Sequence, residues 1–529
     1  MAKTFNITGL CLPEQHYMAD TSDKIKQIIK LVENGKYFTI NRARQYGKTT
    51  TLEMLRRALD KDYTVLSLSF DSMGAASFTN EDCFFRDFLQ FQLIPELELQ
   101  TTDFSSFINE LEDYLSDQQI SYTLARLSSL LSKLCSLSPN ATVMMIDEVD
   151  SASNNQVFLD FLAILRNQYL RRSRIKTFQS VILAGVYDIK NLKLKIRPEE
   201  EHKYNSPWNI AEPFLVDMSL SPKDILTMLD EYENDWHTGM DKDIMCNLIY
   251  DYTNGYPYLV SCYCKLLDER IAQTADFPTK TSAWTKEGFL RANQILLNEK
   301  STLFDDMIKK LTDFPELKET LTDILFRGEK HSNSPYNFAV NTGIMFGFLT
   351  PQNEHVVIAN RTFETLLYNW LLSESKENLI YQAGENDKNQ FIVQGSLQMD
   401  LVMKGFLRHY SEIFCDNDEA FLEKNGRKIF LMYLRPIING TGNYYIEAST
   451  RDSKRTDIIV DYHGKQEIIE LKIWHGQEYN ARGEEQLFHY LEEYKKDKGY
   501  LVSFNFNQNK SVGCNEILYN GKKIFEVVV

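Results

Sequence analysis

The chain has 529 residues, enough for roughly two to four domains. Its hydrophobic and charged fractions, 43% and 25%, are typical of a globular protein, and its net charge of −16 argues against a basic nucleic-acid-coating protein. No apolar run approaches the length of a membrane span. The eight cysteines are scattered without a CxxC pair, and the N-terminus shows no signal-peptide pattern, so we expect a cytoplasmic protein with reduced thiols.

A phosphate-binding turn is predicted near the N-terminus. Asp20–Lys36 has the pattern of a capped amphipathic helix, and a β-prone run from Tyr37 then meets Gly47-Lys48-Thr49 at the start of a second helical pattern. In a P-loop the backbone N–H groups of such a turn cradle phosphates, Lys48 reaches the β- and γ-phosphates of ATP, and the Thr49 hydroxyl holds Mg²⁺.

This motif departs from the general P-loop pattern at its first position. The pattern G-x-x-x-x-G-K-[ST] requires a glycine at position 42, where this chain has Arg42. The departure leaves open whether the loop is reshaped or hydrolysis is slow. We nevertheless assign nucleotide binding to Gly47, Lys48, Thr49 and Thr50.

A second acidic element follows about a hundred residues later. Ala141–Glu148 is an apolar, β-rich run ending in two acids, as expected of a buried parallel strand. Its carboxyl end would deliver Asp147 to Mg²⁺ and Glu148 to the attacking water. Thr64–Phe70 and Ser180–Gly185 are further predicted strands, and residues 80–138 are predicted to be a helical insertion. This alternation predicts a parallel α/β sheet that binds ATP with Mg²⁺.

The middle of the chain is predicted to be mostly helical. Polar residues 190–209 are interpreted either as an ordered loop near the nucleotide or as a solvated surface loop. Helical patterns then run from Ser221 to about residue 375. Gly343–Val357 has the pattern of a winged-helix wing. The polar stretch at 374–390 is the predicted boundary before the C-terminal domain.

A hairpin in the C-terminal part clusters charged residues. Two β-rich runs flank Tyr462–Lys465, and a turn centred there places Asp457 opposite Glu470, with Cβ atoms ~5 Å apart. Strand alternation puts Lys472 on the same face as Glu470. Because paired like charges are destabilising, a Mg²⁺ ion between the carboxylates is one interpretation. A salt-bridged, exposed hairpin face is the other.

The residues after the hairpin extend this pattern. Gln486 and Tyr490 lie one helical turn apart, and another strand follows. This order resembles the PD-(D/E)XK nuclease superfamily, including its Gln-x-x-x-Tyr variant. The resemblance implies that Asp457 and Glu470 bind Mg²⁺ and that Lys472, with Gln486 beside it, assists phosphodiester hydrolysis.

The same resemblance implies a further acid on the first core helix. Glu423 is the candidate, with Glu419 as its rival.

Over nearly its full length the chain is similar to the bacterial AAA-ATPase-like family that carries a C-terminal PD-(D/E)XK domain. The segments that carry the similarity are Tyr37–Thr51, Met144–Asp150, Gly185–Ile189, Asn205–Ile210, Ile358–Arg361 and Arg455–Trp474, with Gly255-Tyr256-Pro257 as the Gly-x-Pro turn of signalling-type relatives. It implies an α/β multidomain protein: a P-loop parallel-sheet ATPase core (1–220), a helical or winged-helix-like lid (221–375) and a restriction-endonuclease-like α/β domain (376–529).

The expected function is that of an ATP-binding P-loop NTPase coupled to a Mg²⁺-dependent nuclease acting on nucleic acid. The alternative is an ATP-dependent signalling switch whose nuclease-like domain binds a partner or nucleic acid without cleaving it. A third option is an NTPase whose C-terminal domain is only structural. Assembly into a homo-oligomer stays open.

Overall fold

The computed structural model describes residues 3–116, 119–152, 155–186, 208–327, 329–373, 379–414, 419–438, 442–446, 458–462, 465–473, 477–505 and 511–529. The chain divides into two units. The first comprises Met1–Gly288 with Thr342–Phe348, and the second comprises Phe289–Asn341 with Leu349–Val529. Among the helices of the described ranges, none is long and apolar enough to cross a membrane. The division into three domains stays a prediction.

The first unit is built on a four-stranded parallel sheet. Its strands lie in the order β1-β4-β3-β2, and every neighbouring pair is parallel. The strands are β1 (Phe38–Asn41), β2 (Thr64–Ser69), β3 (Thr142–Asp147) and β4 (Ser180–Gly185). The predicted parallel sheet of a P-loop ATPase core is therefore confirmed.

Strand β3 is buried along its whole length because both faces of the sheet are covered. Met144 and Ile146 pack into one apolar cluster, whereas Val143 and Met145 pack into the cluster on the opposite face. Successive side chains of a strand point to opposite faces, so a strand covered on both sides reads as a continuous apolar run. This explains why β3 was recognisable in the sequence.

Helices cover the sheet and form the rest of the first unit. They are α1 (Ser22–Glu33), α2 (Lys48–Leu59), α3 (Glu81–Phe88), α4 (Ile94–Glu98), α5 (Ser105–Ser116), α6 (Leu124–Leu137), α7 (Gln156–Leu170), α8 (Pro222–Trp236), α9 (Lys242–Thr253), α10 (Pro257–Leu266) and α11 (Lys280–Ala283). Helices α3 to α6, with a π-helical turn at Leu89–Leu93, form the helical insertion expected at 80–138.

The insertion also contacts the outer edge of β2. Gln92 and Glu96 accept hydrogen bonds from the backbone N–H groups of Ser69 and Ser67, each at 3.0 Å. Gln100 donates to the carbonyl of Val65 at 2.9 Å. The three side chains are spaced four residues apart, from the π-helical turn through α4 to the segment just after it, and each reaches β2. These side chains form hydrogen bonds with backbone groups on the side of β2 that has no neighbouring strand in the described part of the chain.

Gly255 closes the turn between α9 and α10. Its φ is +70°, and a Cβ built there would lie 2.1 Å from the carbonyl oxygen of Leu220. The Leu220 amide donates to the Gly255 carbonyl at 2.8 Å. This close backbone approach requires a residue without a side chain, since any Cβ collides with the Leu220 carbonyl.

We expect Gly255→Ala to lower the free energy of unfolding by more than the roughly 1–2 kcal/mol that a left-handed L-residue costs, because the clash with Leu220 adds to that strain. Gly239→Ala is the matched control: its φ is +73° and no atom lies within 4 Å of its Cβ position. Urea denaturation followed by circular dichroism compares the two. Equal shifts of the unfolding midpoint would show that the clash is relieved.

The second unit contains a small hairpin formed by β5 (Leu349–Gln352) and β6 (His355–Ile358), which pair antiparallel, together with several helices. This hairpin lies where a wing was predicted. The helices are α12 (Lys286–Asn298) and α15 (Phe338–Met345), which each extend across a unit boundary, and α13 (Thr302–Asp313), α14 (Pro315–Thr322), α16 (Arg361–Ser373), α17 (Leu379–Phe391), α18 (Met399–Phe414) and α19 (Glu419–Ile438). A π-helical turn, Asp323–Arg327, follows α14.

The second unit also contains a six-stranded mixed sheet in the order β13-β14-β12-β11-β10-β9. Its strands are β9 (Gly442–Ile446), β10 (Ile458–Tyr462), β11 (Lys465–Ile473), β12 (Lys498–Phe504), β13 (Gly513–Tyr519) and β14 (Lys522–Val528), and a separate short ladder pairs β7 (Ile392–Val393) with β8 (Ser396–Leu397). Strands β11, β12 and β14 are parallel. Helix α20 (Gln477–Glu493) packs Leu487 and Leu491 against the sheet.

Candidate functional site

The predicted phosphate-binding turn lies between β1 and α2. Gly47 has a φ of +76° and directly precedes Lys48, the first residue of α2. The loop before it also contains Gln45 at a φ of +56°. In a turn of this conformation, successive backbone N–H groups point into one concave site, which can bind an anion. The site lies at the N-terminus of α2, where the helix dipole also favours negative charge.

Lys48 is buried inside this loop. Its Nζ donates to the carbonyl oxygens of Arg42 and Ala43, each at 3.1 Å. Burial lowers the pKa of Lys48, while the carboxylates of Glu148, Asp150 and Asp147 act in the opposite direction. The ammonium group is thus held in the loop by carbonyl groups that phosphate oxygens can replace.

The acidic end of β3 meets the start of α2. The Thr49 hydroxyl donates to Asp147 Oδ2 at 2.6 Å, although the two residues are 98 positions apart. Asp147 is 7% exposed, whereas Thr49 faces solvent. A hydroxyl and a carboxylate side by side are the oxygen ligands that Mg²⁺ takes at a P-loop. The residues present therefore fit this ion.

Glu148 follows directly and has an unusual backbone. Its φ is +52°, a conformation that non-glycine residues seldom adopt. Partial burial and the neighbouring Asp147 carboxylate raise the pKa of Glu148. Asp150 Oδ2 accepts a hydrogen bond from the Val186 amide at 2.5 Å, which ties the residues after β3 to the end of β4. A strained residue with a perturbed pKa at a strand end is typical of a functional site.

Arg42, which stands where the motif has its first glycine, points away from the phosphate turn. Its guanidinium donates to the carbonyl oxygens of Asn41 at 2.8 Å and Val216 at 2.7 Å, and it lies 5.3 Å from the centre of the Phe214 ring. Its side chain therefore stabilises the neighbouring segment and leaves the loop backbone around Lys48 in place.

Two further segments contact the loop. The Tyr256 hydroxyl donates to the Arg44 carbonyl, and the Tyr256 ring lies 4.7 Å from that of Tyr46. The Thr50 hydroxyl accepts a hydrogen bond from the Cys11 amide at 3.2 Å, so it is engaged by the N-terminal segment. The Gly255-Tyr256-Pro257 turn thus lies against the P-loop.

In the second unit, β10 and β11 form the predicted hairpin with the predicted register. Ile458 pairs with Ile469 and Tyr462 with Lys465. Glu470 is fully buried, and its Oε1 forms an ion pair with Lys472 Nζ at 2.8 Å. The two side chains therefore share a face, as strand alternation predicted.

Side chains of helix α20 continue the hydrogen-bond network of the Glu470–Lys472 pair. Lys472 Nζ donates to Gln486 Oε1 at 3.1 Å, and Gln486 Nε2 donates to the Tyr490 hydroxyl at 3.0 Å. A Cβ at Gly483 would lie 3.1 Å from Lys472 Cγ, so this glycine lets the helix approach the lysine closely. The predicted Gln-x-x-x-Tyr face thus contacts the lysine of the Glu-x-Lys pair.

Further polar side chains lie on the face of the sheet that carries Glu470 and Lys472, and the sequence patterns did not predict them. The Ser503 hydroxyl donates to Glu526 Oε1 at 2.9 Å, and Asn515 lies 3.3 Å from Glu526 Oε2. Glu484 on α20 faces them, and burial together with the Glu526 carboxylate raises its pKa. A signal was present, because Glu526 interrupts the apolar run Ile524–Val529.

Some predicted residues are not placed. Asp457 and the loop at 190–207 lie outside the described residues, whereas Trp208 just after that loop is buried and donates to the Thr39 hydroxyl at 2.9 Å. The backbone of Glu419 and Glu423 lies in α19, but their side chains are outside the described part. The roles of all three acids stay predictions.

The parallel sheet, the loop around Lys48 and the Thr49–Asp147 contact define a P-loop NTPase. Residues 11–320 match the family described as "AAA-like domain". This match covers more than half of the chain, so the chain belongs to that family and is an ATP-binding P-loop NTPase.

Two solved structures show a weak likeness to this chain. The Walker-type ATPase PABY2304 of Pyrococcus abyssi has 13% identity and a TM-score of 0.45, covering 69% of this chain and 99% of its own. The ADP form of Aeropyrum pernix ORC2 has 13% identity and a TM-score of 0.34, covering 70% and 97%. These values are too low to add to the family assignment. A search of curated proteins found no match to the sequence.

Proposed function

We propose that the chain hydrolyses ATP at the P-loop and cleaves nucleic acid, by Mg²⁺-dependent phosphodiester hydrolysis, at the C-terminal sheet. The first part is supported by the Thr49–Asp147 contact, with Lys48 buried beside it. The second is supported by the Glu470–Lys472 ion pair and its contact with Gln486. The ion pair carries the nuclease proposal.

In ATP hydrolysis, a water oxygen bonds to the γ-phosphorus while the bond from that phosphorus to the bridging oxygen of ADP breaks. Glu148 at the end of β3 is the group that takes the proton of this water, and Lys48 balances negative charge on the phosphate oxygens. Mg²⁺, when bound beside Thr49 and Asp147, neutralises charge on the β- and γ-phosphates.

Replacing Glu148 with glutamine is expected to lower ATP turnover by on the order of 10²-fold or more while ATP still binds, because the proton acceptor is lost. The raised pKa of Glu148 also predicts that wild-type turnover falls on acidification at a higher pH than an ordinary glutamate would give, since the acceptor must be deprotonated. An assay of phosphate release measures the turnover of the variant and the pH dependence of wild-type turnover. Glu98→Gln, at an exposed residue of α4, is the control, and unchanged turnover in Glu148→Gln contradicts the role.

At the C-terminal sheet, a water oxygen would bond to the phosphorus of a phosphodiester while the bond from that phosphorus to one sugar oxygen breaks. The water would release a proton to solvent, and the leaving sugar oxygen would take one up. Lys472 orients the attacking water and balances charge on the phosphate, and Gln486 holds the lysine toward the site. Glu470 supplies one carboxylate for Mg²⁺, with Asp457 proposed as the second. Because Lys472 already contacts Glu470, an ion there shares that carboxylate with the ammonium.

The test of the nuclease proposal is incubation of the full chain with single- and double-stranded DNA and RNA, with and without Mg²⁺ and ATP. We expect shortened or nicked products only when Mg²⁺ is present. If all four substrates stay intact under every condition, the nuclease proposal fails, while ATP turnover measured on the same preparation tests the first part separately.

A further inference from the structure

A cluster of metal-ligand side chains lies in the second unit, and it contains no residue of either proposed site. Asp323, Glu329 and His331 each offer a ligand atom, and these atoms all lie within 4.8 Å of one another. Asp323 begins the π-helical turn after α14. The Glu329 amide donates to the Asp323 carbonyl at 3.1 Å, so the backbone itself brings the two carboxylates to one place.

The environment of the His331 side chain is a further indication of a bound ion. Its Nε2 is closed to solvent and has no hydrogen-bond partner among the described residues. The nearest carboxylate oxygen, Asp323 Oδ2, is 3.7 Å away, which is too long for a hydrogen bond. Two atoms bound to one tetrahedral ion through bonds of ~2.0–2.1 Å lie about 3.3 Å apart. The separation falls within the range of a loose ion pair, and it is also close to the spacing of two ligands of one ion.

The segment that carries His331 is anchored on its other side. The His331 carbonyl accepts a hydrogen bond from the Val356 amide at 3.0 Å, and Ser332 forms an antiparallel bridge with His355. The cluster thus lies between the start of the π-helical turn at Asp323 and the hairpin β5–β6. An ion bound there would join these two elements through side chains.

We propose that Asp323, Glu329 and His331 bind one divalent transition-metal ion of the Zn²⁺ type, which fastens the segment before the hairpin to the end of the helix. One imidazole and two carboxylates suit Zn²⁺ and its first-row neighbours, whereas Mg²⁺ prefers oxygen ligands and water. A divalent cation also relieves the repulsion between Asp323 and Glu329.

The test is calorimetric titration of the chelator-treated full chain with Zn²⁺, in excess Mg²⁺ so that Mg²⁺ sites do not compete. We expect one Zn²⁺ site, and we expect both His331→Gln and Asp323→Asn to lower its affinity by at least the ~10- to 100-fold that losing an outer-shell partner of a metal ligand costs. Glu319→Gln, an exposed acid one turn earlier on α14, is the control. If the wild type, His331→Gln, Asp323→Asn and Glu319→Gln all bind Zn²⁺ with equal affinity, the proposal is wrong.

Limited trypsin digestion gives a second readout at the site itself. Lys330 is exposed and lies between two of the ligands, so Zn²⁺ is expected to slow cleavage after Lys330 in the wild type but not in His331→Gln. Circular dichroism checks that each variant is folded, and either ligand variant suffices for the comparison. Cleavage after Lys330 at one rate with and without Zn²⁺ in the wild type also counts against the site.

Discussion

Replacing Lys48 with alanine is expected to weaken ATP binding by roughly 10- to 100-fold and to abolish turnover. Hydrogen bonds to a charged group contribute about 1.5–3 kcal/mol each, which corresponds to that range of affinity. In the structure Lys48 Nζ donates to the carbonyl groups of Arg42 and Ala43, and we expect it to exchange these partners for phosphate oxygens when ATP binds. Calorimetry with a non-hydrolysed ATP analogue measures the loss.

Lys61→Ala is the matched control, because Lys61 is an exposed lysine just after the same helix α2. It should bind the analogue like the wild type. Thermal unfolding without nucleotide separates a loss of binding from a loss of folding, since only the first predicts an unchanged melting temperature. If Lys48→Ala binds the analogue as tightly as Lys61→Ala does, the assignment of the phosphate site is wrong.

Lys472→Ala is expected to lower nucleic-acid cleavage by on the order of 10²- to 10³-fold, the range for removing one group that stabilises charge in a transition state. The substitution also leaves the buried Glu470 without the ammonium that contacts it at 2.8 Å. Removing one partner of a buried ion pair costs roughly 3–5 kcal/mol of stability. Lost cleavage in this variant alone would therefore not separate chemistry from folding.

The double variant Glu470→Gln/Lys472→Gln removes both charges and keeps a similar size, so the fold should survive while cleavage is lost. Lys465→Ala, at the exposed start of β11, is the control and should cleave normally. Gel assays of labelled substrate compare the variants, and a binding assay with the same substrate shows whether binding persists. Cleavage at the wild-type rate by the folded double variant would assign the activity elsewhere.

The P-loop and the acidic strand end could be predicted from the sequence because each depends on a local pattern. Gly47-Lys48-Thr49 marks a turn before a helix, and an apolar run ending in Asp147 marks a buried strand. Parallel strands deliver their carboxyl ends to one edge of the sheet, so the contact between Thr49 and Asp147 follows from the fold class.

Long-range polar contacts were not predictable in this way. The direction of the Arg42 side chain depends on the Val216 carbonyl, which is 174 positions away. The polarity of the stretch at 374–390 predicts a domain boundary, and the described part of this stretch lies in α17. There Asp387 is buried and accepts hydrogen bonds from Arg408 and Tyr433 at 2.9 and 3.0 Å. A polar stretch of sequence can form a buried hydrogen-bond network or an exposed linker, and its composition does not distinguish the two.

The three side chains along the outer side of β2 have a consequence for the association of folded molecules with one another. An edge strand with free N–H and C=O groups is a template on which another molecule can add a strand. Here Gln92, Glu96 and Gln100 already bind such groups of β2, so a second chain finds few partners there. The helical insertion therefore also protects the molecule against aggregation through this side of the sheet.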